Sequence, residues 1–259
     1  MSPEELVTLL GGGLAGVLIT LVHGAVVEHI RSRRKQSDSA EAKLDQLIKS
    51  ADHLASKLRA LGERDFKGLS SKDRDNDRYN LIEYLNVAFV VAEFWAQIEA
   101  LKRSSVYWQL SRDKRGQQLQ AFLRCLESRR VRIVSRAIQR GIGEMLLADN
   151  LRVCTFHEFV QRYDREEGFR QWLHPLLTTL DGTASGGRNV LKRSRQRMLQ
   201  YGVVVHALVD TIDNEHHVGR NRPGLPNKLS DRTRRDLRNR VFRLYLPAVP
   251  SAKYLLQKR

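Results

Sequence analysis

Cysteine, proline and acidic residues are all scarce in this chain. Two cysteines, Cys125 and Cys154, in 259 residues exclude a disulfide framework and a four-cysteine zinc site. Six prolines and 17 glycines exclude collagen-like and Pro/Gly-rich low-complexity sequence. No phosphate-binding GxxxxGK[ST] loop, HExxH, GxSxG or kinase motif set is present. No aromatic RNP motif, zinc finger or glycine-rich KH loop occurs either. Acidic residues number 29 against 45 Lys and Arg, and the pI is near 10.3. What remains is 41% hydrophobic and 29% charged, enough for one or two domains with a sizeable core.

The amino-terminal segment departs from this pattern. Leu6 to Val27 runs 22 residues without a charge, and 12 of them are Leu, Ile or Val. As a helix it would span about 33 Å, against about 30 Å for a hydrocarbon core. Glu4 and Glu5 precede it, while Arg31, Arg33, Arg34 and Lys35 follow. The positive-inside rule then puts the start of the chain outside and the rest in the cytoplasm, as in a single-pass inner-membrane protein. A secretory signal would reverse the charge order.

Gly11-x-Gly13-x-x-Gly16 matches the dinucleotide fingerprint but lacks the strand–turn–helix unit that gives it meaning. Gly12-x-x-x-Gly16 is instead a small-residue face through which two membrane helices could pack as a homodimer. The alternative is a glycine-rich anchor with no partner. His23 has no proton-relay partner in a single helix and reads as interfacial.

From Ser37 onward the periodicity is helical, with no convincing alternating run. Asp38 and Glu41 can cap a first helix. Leu44, Leu47, Ile48, Ala51, Leu54, Ala55, Leu58 and Leu61 make its narrow stripe, which suits a short dimeric coiled coil or packing on the same chain. Arg64 to Asp77 is a charged linker. Tyr79 to Arg103 is apolar on nearly every side from Tyr84 to Trp95, as expected of a central core helix. Gln117 to Leu147 reads as one long helix kinked at Gly141 and Gly143. Thr155-x-x-Glu158 is a capping box. Helices follow over Gly168 to Leu180 and Arg188 to Asp213, separated by a loop over Asp181 to Gly187. A second loop covers His216 to Lys228, and Ser230 caps a last helix that stops before Pro247. The fold class is therefore all-α. Residues 1–35 form a transmembrane anchor with a basic stop, and 36–74 a juxtamembrane helix and linker. Residues 75–259 form a helical bundle with a basic C-terminal helix.

Glu93-Phe94-Trp95, Ile98-Glu99, Gly143-Glu144-Met145, Phe156 with Phe159, and Leu208-Val209-Asp210 with Asp213 occur in that order. The order resembles that in uncharacterised bacterial helical proteins, membrane-anchored or soluble. The resemblance covers roughly 75–228 and implies an all-helical domain without implying an activity.

Charge is the main functional lead. From Arg188 to the end there are 17 Lys and Arg against five Asp and Glu, a net +12 of the chain's +16. Two clusters dominate: Lys192, Arg193, Arg195 and Arg197; and Arg232, Arg234, Arg235, Arg238, Arg240 and Arg243. They could engage anionic lipid, an acidic protein partner or, with less support, nucleic acid. A purely solvated surface is the plain alternative. His206, Asp210 and Asp213 share a helix face, with Glu215, His216 and His217 just beyond. This spacing could hold a divalent metal or share a proton, or simply meet neighbouring arginines. Glu144 needs a partner, for which Arg140 is four residues away, whereas Glu93 has no basic residue near it in sequence. No Glu-x-x-His motif accompanies these carboxylates, so structural ion pairs are expected and no cofactor is implied. Cys125 lies on an apolar face and is expected in the core.

Replacing Gly12 and Gly16 together with Leu should abolish self-association of the anchor in a membrane two-hybrid assay. An unchanged signal would reject packing through that face.

Overall fold

The two longest helices described, of 26 and 25 residues, are joined by a buried Trp–Tyr hydrogen bond, and the other helices pack around them. The computed structural model describes residues 41–67, 69, 77–104, 107, 113–185, 188–220 and 228–255. The anchor Leu6–Val27, with Gly12 and Gly16, and the cap at Asp38 lie outside them. Every side chain discussed below belongs to the unit Lys43–Arg259. The described residues are all-helical, with no strand and one isolated bridge, Leu147 to Val153.

Helix α1 covers 41–63. Its stripe is buried within the chain: Leu47, Ile48, Ala51 and Leu54 are fully covered, and Leu58 packs beside Gly202. Asp65 and Phe66 then turn the backbone through positive φ, and Phe66 tucks back into the core.

Helix α2 (Arg78–Arg103) starts at Asp77, whose side chain accepts from the Tyr79 N–H. From Tyr84 to Trp95 every residue except Asn86 and Glu93 is buried. Length and composition alone would let this helix cross a membrane, but 67% of its most apolar window is buried inside the protein. That is the signature of a core helix.

The stretch expected to form one kinked helix is two. Helix α3 (Lys114–Leu126) ends before α4 (Arg136–Met145), which has its own cap at Ser135. Between them Val131, Ile133 and Val134 are all buried in a run of turns and bends. Gly141 and Gly143 do not kink α4; they let it dock. A Cβ on Gly143 would sit 2.8 Å from the Trp95 carbonyl oxygen, and one on Gly141 would sit 2.4 Å from the Trp172 ring.

Helix α5 (Phe156–Arg165) opens with the expected capping box of Thr155 and Glu158. Phe89, Phe156, Phe159 and Phe169 bring α2, α5 and α6 together, with ring centroids 5.2–5.4 Å apart. Helix α6 (Glu167–Ala184) runs four residues past the expected end at Leu180. Tertiary contacts hold the extra turn: the Tyr84 hydroxyl lies 2.8 Å from the Leu177 carbonyl and from Asp181 Oδ1, and Thr183 is fully buried. Gly182, read as part of a loop, lies inside this helix and close to the Ser194 side chain, whose Oγ would sit 2.9 Å from a Cβ there.

Helix α7 (Arg188–Ile212) is the second long helix, and Tyr201 accepts the Trp95 indole N–H at 2.9 Å. Ser230 caps α8 (Asp231–Asp236), which continues through a π-helical turn (Leu237–Phe242) into α9 (Arg243–Tyr245), ending before Pro247 as expected. A short α10 (Ala252–Leu255) follows.

Several arginines close helix C-termini, where carbonyls lack intrahelical partners. Arg115 donates to the Ile212 carbonyl at the end of α7, and Arg162 to Met145 at the end of α4. Arg170 donates to Tyr163 and Asp164 in α5, and Arg195 to Thr183 in α6.

Gly143→Ala should destabilise the protein by about 1–3 kcal/mol in urea unfolding, because backbone rather than a flexible side chain blocks the new methyl. Gly168→Ala, where nothing lies within 4 Å, should be neutral or stabilising by up to about 1 kcal/mol.

Candidate anion-binding cleft

The two basic clusters, separated by 34 residues of chain, face each other across one cleft of about 860 Å³. One wall is the exposed face of α7: Asn189, Lys192, Arg193, Gln196, Arg197 and Gln200. These positions follow the three-and-four spacing of a single helix stripe. The other wall is α8 and its π turn, with Arg232, Thr233, Arg235, Asp236, Asn239 and Arg240. Arg130, from the loop between α3 and α4, completes the lining. Charge counting over the last 72 residues missed Arg130; the Arg129-Arg130 pair beside the unexpected helix break is its only sequence signal.

Not every expected residue reaches the cleft. Arg195 is spent on the Thr183 carbonyl at 2.7 Å. Arg234 turns back onto Asp231 at 2.6 Å. Arg238 and Arg243 lie outside the lining, because α8 presents a single face to α7. Six of the ten basic residues in the two clusters are brought together: Lys192, Arg193, Arg197, Arg232, Arg235 and Arg240.

The walls are fastened by neutral groups. Gln196 accepts the Ser230 backbone N–H at 2.8 Å and donates to the Lys228 carbonyl at 2.9 Å. Leu237, Val241 and Phe242 are buried beneath the α8 wall. Arg197 donates to the Arg132 carbonyl at 2.9 Å. Burial, then the like charges of Arg132 and Arg193, lower the Arg197 pKa, although the guanidinium stays protonated.

Compensation in the cleft is sparse. Asp236 is the only carboxylate in the lining among the described residues, 3.5 Å from Arg240 and 4.0 Å from Arg130. Lys192, Arg193, Arg232 and Arg235 have no carboxylate partner among the described residues. Gln200 lies at the base, 7% exposed, and its amide Nε2 is buried without a hydrogen-bond partner among the described residues.

The second candidate, His206 with Asp210 and Asp213, is divided between two structural tasks. Asp210 is buried and pairs with Lys253 at 2.8 Å, with His206 at 3.7 Å. Tyr254 stacks on Phe242 and meets the edge of His206. Burial, then the Asp210 charge, push the Tyr254 hydroxyl pKa up. Together these contacts dock the C-terminal segment on α7. Asp213 instead accepts the backbone N–H groups of His217, Val218 and Gly219 at 2.9, 3.0 and 2.6 Å. The partners are thus a lysine and backbone amides rather than the arginines expected. No group of three or more His, Cys, Asp or Glu among the described residues could hold a metal ion.

Other carboxylates form ion pairs, and the thiols are held protonated. Glu144 pairs with Arg140 at 2.8 Å, as its spacing implies, and with Arg103 at 2.9 Å; these bonds lower its pKa. Glu93 does find a base, His53 at 3.7 Å, supplied by α1. Lys102 bridges Glu99 and Glu127. Burial pushes the Cys125 thiol up to about 12 and Cys154 up to about 11, so neither supplies thiolate at neutral pH.

No family model, no curated protein and no solved structure matches the chain.

Asp213 carries a pH prediction. Burial raises its pKa, but the three amide donors outweigh this and hold it below the ordinary 3.8. A depressed folded pKa gives stability that is present above the unfolded value and lost as pH falls through the folded one. Asp213→Ala should therefore cost at least about 2 kcal/mol at neutral pH, where it strands the loop amides. The deficit should shrink in urea titrations below about pH 4, as the wild-type carboxyl protonates. A pH-independent deficit would reject the assignment.

Proposed function

We propose that the protein is a non-enzymatic binding module, anchored in the inner membrane by Leu6–Val27 with its helical bundle in the cytoplasm. Its basic cleft engages an anionic partner, for which the phosphate headgroups of the inner leaflet are favoured. The observation that carries this reading is the convergence of two distant basic clusters, joined by Arg130, with a single carboxylate among the described lining residues. A merely solvated basic surface gives no reason for such convergence, since like charges facing one another repel.

The bilayer is favoured over other anions for two reasons. The uncharged run and its basic stop support a tether that keeps the domain within reach of headgroups. Each Lys or Arg near an anionic leaflet gains about 1 kcal/mol. Nucleic acid is the alternative partner, but among the described residues no aromatic side chain lines the cleft on which a base could stack. The enzyme reading has lost its constellation, because Asp213 and Asp210 are committed to backbone amides and to Lys253. Self-association through Gly12 and Gly16 remains part of the proposal for the anchor.

Residues 37–259, verified as helical by circular dichroism, should co-sediment with vesicles containing anionic lipid and not with neutral vesicles. Arg193→Gln with Arg235→Gln should weaken that binding about tenfold or more, two lost contacts of about 1 kcal/mol each. Equal sedimentation with both vesicle types would remove the lipid reading.

A further inference from the structure

We infer that the cleft takes a compact ligand carrying at least two phosphate groups on a non-aromatic backbone, with one phosphate seated over Arg197 and Gln200. This rests on reading the cleft as an anion site and goes further by naming the ligand chemistry.

Size and charge together set the class. A volume of about 860 Å³ lies within the range of small-molecule sites, about 300–1,000 Å³. A single phosphate carries about −2 at neutral pH and cannot neutralise the cations of both walls, which include Arg193 and Arg197 on α7 and Arg232 and Arg235 on α8. Two or more linked phosphates can neutralise both at once, and arginine forks suit phosphate oxygens.

The base of the cleft indicates where one phosphate sits. Gln200 is more than nine-tenths buried, and its amide donor is without an acceptor. A buried donor left unpaired is unfavourable, and a ligand oxygen would satisfy it. Arg197 beside it donates from Nη1 to the Arg132 carbonyl at 2.9 Å and to the Arg129 carbonyl at 3.5 Å, which leaves its Nε and Nη2 donors for a ligand. Gln196 is not available, since both ends of its amide already fasten the walls.

The lining also excludes alternatives. Among the described residues it holds no aromatic ring to stack a nucleobase, and its uncharged members are polar groups such as Asn189, Thr233 and Asn239. A polyol or glycerol backbone between the phosphates fits these donors and acceptors. Asp236 acts as the resident counter-anion of Arg240 and Arg130, so an incoming phosphate must compete with it.

Two sources share this chemistry, a lipid headgroup with two phosphates and a soluble polyphosphate. The test uses the full-length protein purified in neutral detergent, at constant ionic strength. Inorganic tripolyphosphate and orthophosphate are titrated by calorimetry. Lipid is supplied as nanodiscs doped with cardiolipin, or with phosphatidylserine at matched total charge.

Tripolyphosphate should bind at least about tenfold tighter than orthophosphate, or cardiolipin tighter than phosphatidylserine by a similar factor. Arg193→Gln and Arg235→Gln, one from each wall, should each weaken that binding about tenfold. Gln200→Leu should weaken it several-fold, and Asp236→Asn should tighten it. Arg232→Gln replaces either arginine variant that loses its thermal transition. Preference for cardiolipin assigns the headgroup as source, and preference for tripolyphosphate assigns a soluble ligand; both support the inference. If neither polyphosphate probe outcompetes its single-phosphate counterpart, the ligand class is wrong. The anion reading then still stands where phosphatidylserine or a DNA oligomer binds and the arginine variants weaken it. If no anionic probe binds, both fall.

Discussion

The hydrogen bond from the Trp95 indole to the Tyr201 hydroxyl, 2.9 Å long and buried between the two long helices, sets the rotation of α7. Tyr201 is fully buried and adjoins Gln200 at the base of the cleft. Once Tyr201 points at Trp95, the helical repeat determines where Arg197, Arg193 and Lys192 point. Burial pushes the Tyr201 hydroxyl pKa up, which keeps it neutral while it accepts from the indole. Burying an indole N–H or a phenol hydroxyl without a partner is costly, so the pair also penalises other rotations of α7.

Helix α7 thereby serves two surfaces. Its second half, with Val204, Val205, Ala207 and Leu208, is buried among the other helices. Its first half is exposed or half-buried as far as Arg197 and carries the cations. The remaining basic residues divide by task. Arg115, Arg162, Arg170 and Arg195 complete helix C-termini, where the guanidinium supplies both donors and favourable charge. Arg103, Arg136 and Arg140 pair with carboxylates on α2, α4 and the turn after α3. Much of the positive excess left after these structural uses collects in the cleft. Composition alone cannot separate the two populations, because a guanidinium on a carbonyl and one facing solvent look the same in sequence.

Local signals were legible where local physics decides. The capping box at Thr155, the cap at Ser230, the stripe of α1 and the burial of α2 follow from spacing and side-chain chemistry. The misreadings fall where a distant partner intervenes. Helix α6 keeps its last turn because Tyr84, 97 residues before Asp181 in the chain, bonds to it. Gly143 resembles a kink signal but provides the close approach of α4 to the Trp95 backbone. Asp213 looks like part of a polar helix face, yet it is the acceptor for the loop that follows.

Sequence by itself determined the all-helical class, most helix boundaries, the basic C-terminal third and both arginine clusters. It also set the charge order around Leu6–Val27, on which the proposed orientation rests. Only the tertiary structure decided that α7 and α8 face each other, that Arg130 joins them, and that Arg195 and Arg234 are diverted. Periodicity fixes which residues of one helix share a face. Which faces of two helices meet depends on packing between residues remote in the chain, here Trp95 with Tyr201 and Gln196 with the backbone at 228 and 230.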